Sequence, residues 1–271
     1  EVITLTSSNL TAQLIPFVAL PILTRIYSPE DFGSFSIIIS IASLFSVCAS
    51  FKIELAMVLV KEKKERLRVL NLCVSLLFTT FLIFSVISFF LFLMNFLLSS
   101  TSIVFYKKTL IFVPIIIFFI GADNIILNFA ASEKEFKKLA ISSVLFSLVN
   151  NFSSLIFSFI PNVGLFFGEF SGRICSLLYL IKALKRKYIS LVPFKESMQK
   201  NIILIKKYKN FPLFTIPSDF LDVYTKQTPI YILTFLELTE SIGYYSLTSK
   251  ILSKPISIIG RAVSVTFRVR A

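Results

Sequence analysis

The chain has 271 residues, of which 55% are hydrophobic and 31 are Phe, and its mean hydropathy is +0.83. A soluble domain of this length cannot hide that much apolar surface, so the composition selects a membrane protein. The formal charge of +13 sits in short basic clusters between apolar runs, the pattern of a polytopic membrane protein, so nucleic acid is not an expected partner.

The absence of histidine excludes imidazole chemistry. Cys48, Cys73 and Cys175 each lie singly in an apolar run. Such cysteines read as buried thiols, with no disulfide, metal site or cofactor expected. Residue 1 is not Met and lies close to the first apolar run, and no cleavable signal pattern follows it. A few residues are therefore expected upstream.

Taken in order, the first apolar run covers about 3–23 and contains Pro16 and Pro21. Two prolines predict a bent helix whose freed carbonyls need other partners. In the loop that follows, Ser28 suits the N-cap of the next helix, Pro29 its first position and Asp31 the capping box. The second run, about 32–60, contains Lys52 and Glu54. Further runs cover about 69–98, 110–131, 139–160, 163–184, 211–236 and 242–265. Each is long enough to cross a bilayer, which predicts an all-α polytopic protein of eight spans.

Loops after the even runs carry Lys61, Lys63, Lys64, Arg66 and Arg68, then Lys134, Lys137 and Lys138, then the basic stretch 185–210. Loops after the odd runs hold Arg25, Lys107 and Lys108 and little else. This asymmetry places the even loops and the N-terminus in the cytoplasm.

The chain also echoes itself. Glu30, Gly33 and Ser36 return as Glu240, Gly243 and Ser246, 210 positions later in each case. Each copy follows an apolar run with a proline, at Pro21 and Pro229. Six spans separate the copies, so both point the same way across the membrane. That predicts a parallel six-helix repeat with a path between two halves. Residues 1–184 form the first six-helix lobe in this reading, 185–210 a cytoplasmic basic linker, and 211–271 the start of a second lobe with spans seven and eight. Within the linker, Met198, Ile202, Ile205 and Tyr208 are spaced for one face of an amphipathic helix on the membrane surface.

Four stretches resemble a known family: LTRIYSPEDFG at 23–33, FKIELA at 51–56, YKNFPL at 208–213 and PISIIGRA at 255–262. With them the whole chain is similar to the polysaccharide-transporter branch of the multidrug/oligosaccharidyl-lipid/polysaccharide exporter superfamily, which includes the Wzx-type flippases. The resemblance implies a two-lobed fold like that of the multidrug exporters of that superfamily. Relatives of twelve or more spans imply that the second lobe is incomplete in this chain. It also implies transport of undecaprenyl-diphosphate-linked oligosaccharide across a bacterial inner membrane, with membrane lipid and other polysaccharide-assembly proteins, such as a polymerase, as partners. Family members often carry Arg-Tyr-Glu where this chain has Lys52-Ile53-Glu54, so the charges are kept and the aromatic is lost.

The residue chemistry fits such a cargo. A cationic, polar cavity would bind diphosphate through Arg or Lys, and Asn, Ser and carboxylates would bind sugar hydroxyls. Arg25, Lys52, Glu54, Arg173 and Lys250 are therefore the expected substrate-binding residues. Glu169 with Arg173, Asp222 with Lys226, and Lys250 with Lys254 each share a helix face at a spacing of four. Each also has a structural alternative: pairing that only packs helices, or snorkelling to an interface. Asn124 and Asn128 are expected to bond between helices. Asp123, Asp219 and Asp222 are the candidates for coupling to an ion, because a carboxylate can exchange a proton as a cavity changes its exposure. A lipid II-type flippase and a drug or cation antiporter stay open as alternatives. An enzyme of the same pathway ranks below them, since no long extracytoplasmic loop is present to hold catalytic residues.

Overall fold

A computed structural model describes residues 2–97, 112–160, 163–185 and 198–252. Readings that rest on Lys107 and Lys108, the Pro161-Asn162 turn, Lys254 and the 255–262 motif lie outside those residues. Helix α1 (Val2–Ile26) leads to α2 (Pro29–Ser46), α3 (Ala56–Leu59), α4 (Lys63–Leu97), α5 (Val113–Ser132), α6 (Phe136–Ile156) and α7 (Gly164–Lys185). Then follow α8 (Met198–Lys207), α9 (Ile216–Phe235) and α10 over 239–252. No strand is among the described residues. Helices α4 to α7 are each long and apolar enough to cross a membrane. On α4, Leu82, Ile83, Val86 and Phe89 all point outward. In water that stripe would drive aggregation; against lipid tails it costs nothing. The chain is an all-α polytopic membrane protein.

Local chemistry explains the first turns. Ser28 caps α2 as its sequence suggests: Asp31 N–H donates to Ser28 Oγ at 3.2 Å, and Ser28 N–H donates to Asp31 Oδ2 at 2.9 Å. Helix α1 continues through both of its prolines. Pro16 has no N–H, so the Ala12 carbonyl loses its helical donor. Ser147 Oγ of α6 donates to that carbonyl at 2.7 Å. The proline thereby becomes a point of attachment between α1 and α6.

The second apolar run is not one helix to residue 60. Helix α2 stops at Ser46, and the chain turns through 47–52 before a single 3₁₀ turn at Ile53–Leu55. Phe51 and Lys52 have φ of 53° and 57°, a left-handed backbone that non-glycine residues seldom adopt. Side chains meet the polar needs of this break. Thr80 Oγ1 of α4 donates to Ala49 O at 2.8 Å, and Ser50 Oγ donates to the buried Glu54 carboxylate. Hydropathy averages over such a turn because its flanks are equally apolar.

Helix α8 lies against the start of α4. Lys207 Nζ and Tyr208 OH both donate to Glu65, at 2.5 and 2.9 Å. The carboxylate holds the Lys207 ammonium above the usual lysine range through that hydrogen bond. Leu204 is buried in the core with Tyr208 packed beside it, while Ile205 is 37% exposed. The side of α8 that docks on α4 thus carries Leu204 and Tyr208, and Ile205 stays on the uncovered side.

Close backbone contacts at glycine position the remaining helices. A Cβ on Gly168 of α7 would lie 1.9 Å from Ser154 Oγ and 2.7 Å from Asn150 O, both on α6. Small residues let membrane helices approach this closely, and Gly164, Gly168 and Gly172 repeat the spacing of four. A second contact joins α2 to α10. A Cβ on Gly33 would lie 2.1 Å from Thr239 O, and one on Gly243 would lie 1.8 Å from Pro29 O. Shifting each residue by 210 positions exchanges the two contacts, since 29 maps to 239 and 33 to 243. Reciprocal contact of this kind is what a local two-fold axis produces. Beside it, Ile242 packs with Ile37 and Ile41, and Tyr231 OH of α9 donates to Ser40 O at 3.0 Å.

This reciprocity generates a measurable expectation. Gly33→Val and Gly243→Val should each destabilise the protein in detergent by about 1–3 kcal/mol, as over-packing does. The double variant should cost clearly less than the sum, because either valine alone already separates α2 from α10. Additive losses in thermal unfolding would show that the two glycines do not share one contact.

Candidate functional site

A cavity of about 300 Å³ lies among α1, α2, α6, α7 and α10. Helix α1 contributes Pro16 and Phe17, α2 contributes Phe32 and Phe35, and α6 contributes Phe146, Ser147, Asn150 and Asn151. Glu169 of α7 and Lys250 of α10 bring the charges. The Lys250 ammonium lies 5.7 Å from the Phe32 ring centre and 5.4 Å from that of Phe35, within cation–π range.

Behind Glu169 is a network of ions. Arg173 Nη1 donates to Asp123 Oδ2 of α5 at 2.8 Å, and its Nε donates to Glu169 Oε1 at 2.7 Å. Asn150 Nδ2 of α6 donates to Glu169 Oε2 at 2.9 Å. The guanidinium also stacks 5.5 Å from the centre of the Phe146 ring. One guanidinium thus faces two carboxylates, and three helices meet in a single cluster. The i,i+4 spacing of Glu169 and Arg173 foretells their pair. Asp123, 50 positions from Arg173, is not readable from spacing.

The other expected residues lie elsewhere. Lys52 Nζ pairs with Asp219 Oδ2 of α9 at 2.7 Å. Glu54, two residues on, is only 2% exposed and accepts from Ser50, so it is closed off from the cavity. Asp222 pairs with Lys226 at 2.6 Å on an exposed face of α9, and Arg25 is exposed at the end of α1. The eight expected residues therefore do not share one space. Lys250 lines the cavity, Arg173 and Asp123 adjoin it through Glu169, and Lys52 with Asp219 forms a separate bridge. Asn128 Nδ2 donates to Asn124 O at 2.9 Å within α5, not to another helix as expected. Asparagine reaches the carbonyl one turn back more readily than a distant partner.

Ser147, Asn150 and Asn151 were missed by spacing arguments built on charge. Their signal was present: 147, 150, 151 and 154 are all polar and share one helical face of an apolar run. Gly164, Gly168 and Gly172 carry the complementary signal on α7.

Long apolar helices, with a cavity among them where ions and amides meet aromatic and aliphatic side chains, define a multi-pass α-helical membrane protein. The chain belongs to the polysaccharide biosynthesis protein family, whose match spans residues 1–267. That family covers the Wzx-type flippases, and its members are transporters and not enzymes. No curated protein and no solved structure matches the chain. The protein is accordingly a membrane transporter or flippase related to polysaccharide synthesis.

The ion cluster makes a ranked prediction. Arg173→Ala leaves Asp123 and Glu169 facing each other without a cation and should cost roughly 3–5 kcal/mol. Asp123→Asn leaves the Glu169–Arg173 pair intact and should cost much less. Thermal unfolding of both variants in detergent checks the order, and equal losses would contradict the shared-cation arrangement.

Proposed function

We propose that the protein carries undecaprenyl-diphosphate-linked oligosaccharide from the inner to the outer leaflet of a bacterial plasma membrane, for O-antigen, capsule or another surface polysaccharide. The observation that carries this reading is the cavity itself, in which Lys250 shares one space with two asparagines, two serines, a glutamate and aromatic rings. An anionic headgroup with attached sugar needs that combination, while its lipid tail stays among the surrounding lipids.

In this reading α1 to α7 form one lobe, and α9 and α10 begin the second. The basic loops after the even runs face the cytoplasm, as does the N-terminus. The reciprocal contact of Gly33 and Gly243 then closes the outer end. Lys250 takes the diphosphate in the cavity. Lys52 and Arg25 are reached as the lobes move, and Arg173 holds Glu169 in place. Asp123 and Asp219, each paired with a cation, and Asp222 beside Lys226 are the carboxylates through which a proton gradient would bias the two states. Polymerase and other assembly proteins would receive the product. A proton-coupled antiporter would share the surplus carboxylate beside the cavity; Lys250 inside the cavity favours an anionic cargo.

Vesicles that hold the protein and a polyprenyl-diphosphate saccharide test this reading. Wild type should expose the saccharide on the opposite leaflet faster than protein-free vesicles, and Lys250→Ala and Lys52→Ala should each slow it about tenfold, the loss of roughly 1.4 kcal/mol expected of a charged hydrogen bond. An imposed proton gradient should alter the wild-type rate, and Asp123→Asn or Asp219→Asn should remove that dependence. Full rates in both lysine variants would exclude the diphosphate role, and a gradient effect that survives both aspartate changes would make those carboxylates structural.

A further inference from the structure

We infer that the α6 face formed by Ser147, Asn150 and Asn151, together with Glu169, is a sugar-recognising subsite that reads the residue attached to the diphosphate. The inference rests on the transport reading above and assigns the sugar end of the ligand.

The hydrogen bonds decide what this wall offers. Asn150 Nδ2 is committed to Glu169 Oε2 at 2.9 Å, and Asn151 Nδ2 to Ser147 O at 2.6 Å. Each bond leaves a carboxamide Oδ1 to accept and the second Nδ2–H to donate. Ser147 gives its hydroxyl proton to Ala12 O, so its oxygen can only accept. The Glu169 carboxylate is an acceptor throughout. A wall that accepts at every residue and also donates from its two amides suits a ligand whose groups do both, and sugar hydroxyls do both. A diphosphate has only acceptor oxygens and negative charge, so the Glu169 carboxylate in this wall repels it. Lys250, on another helix of the same cavity, does the reverse. The two walls therefore sort the two ends of one headgroup.

Shape and rigidity agree. Pro16, Phe17 and Phe146 give the cavity apolar surface of the kind that the C–H face of a sugar ring covers. A volume near 300 Å³ is at the lower end for small-molecule sites, which suits the first sugar and not a long chain. The wall is fixed before a ligand arrives. Ser147 is tied to α1, and a Cβ on Gly172 would lie 2.9 Å from that of Asn150, so α6 has no slack against α7. Sites held this way lose little on binding.

The experiment compares two lipids on the full-length protein in nanodiscs: a polyprenyl diphosphate, and the same lipid carrying one hexose. Asn151→Ala should weaken binding of the hexose-bearing lipid about tenfold and leave the bare diphosphate within twofold. Asn150→Ala should do the same. If it unfolds the protein by stripping Glu169 of a partner, Asn151→Ala, which keeps that bond, decides alone. Lys250→Ala should weaken both lipids alike. Equal losses on both lipids, or none on the hexose-bearing one, in Asn151→Ala would overturn the subsite while leaving the transport reading standing. Wild-type protein that binds neither lipid would overturn both.

Discussion

Charge inside hydrocarbon must be neutralised where it stands, and this constraint organises the first seven helices. Moving an unpaired ion into a low-dielectric interior costs several kcal/mol even after relaxation. Asp123, Glu169 and Arg173 come from two different helices and meet in one cluster, with Asn150 of a third helix bonded to it. None of these helices can rotate without exposing a charge to apolar surroundings. The cluster therefore fixes the rotation of α5, α6 and α7, and with it the set of side chains that reach the cavity. Arg173 contributes by orientation: it pins one oxygen of Glu169 and leaves the carboxylate at the cavity wall.

The glycines act one step earlier, on distance. A charge cluster works only if the helix axes are close enough for short side chains to meet. Asn150 can reach Glu169 because Gly168 and Gly172 let α7 lie directly on the α6 backbone. Larger residues there would separate the helices by about the width of the added side chain and break a hydrogen bond of 2.9 Å. Backbone contact and ion cluster are thus coupled, and neither alone places the polar wall of the cavity.

What was legible in the sequence was local. The Ser28–Asp31 capping box, the need of the Ala12 carbonyl for a new donor, and the i,i+4 pairs at 169/173 and 222/226 all follow from spacing within one or two turns. The pairing of Asp219 with Lys52 and of Asp123 with Arg173 depends on how helices pack, and spacing is silent on that. The end of α2 at Ser46 is hidden because the turn that follows is as apolar as the helix before it, and the side chains that join its backbone bonds, Thr80 and Ser50, carry no turn signal of their own. The docking of α8 on α4 through Glu65, 142 positions from Lys207, is equally out of reach of spacing. The candidate site was read through its charges, so the asparagines that line it passed unnoticed although their periodicity was present.

The attachments between α2 and the α9–α10 pair differ in kind, and the difference bears on how a carrier of this shape moves. The contact at Gly33 and Gly243 is backbone against backbone, and beside it lie apolar packing and one neutral hydrogen bond, Tyr231 OH to Ser40 O. The Lys52–Asp219 bridge is another matter. An exposed ion pair is worth about 1 kcal/mol or less and breaking a buried one costs roughly 3–5. This pair, at 16% and 38% exposure, falls between those limits. Its separation leaves both ions needing a substitute. In the proposed mechanism a diphosphate is the substitute for Asp219 on Lys52, and water or a proton is the substitute for Lys52 on Asp219. Cargo and ion would then favour the same separated state, each by supplying what the other leaves uncompensated. A ligand shifts a conformational equilibrium only through such a difference between states. In the proposed orientation, an ion pair that needs two charged replacements, set against a glycine contact flanked only by a neutral hydrogen bond, is a physical basis for an outer end that parts readily and an inner end that parts when loaded.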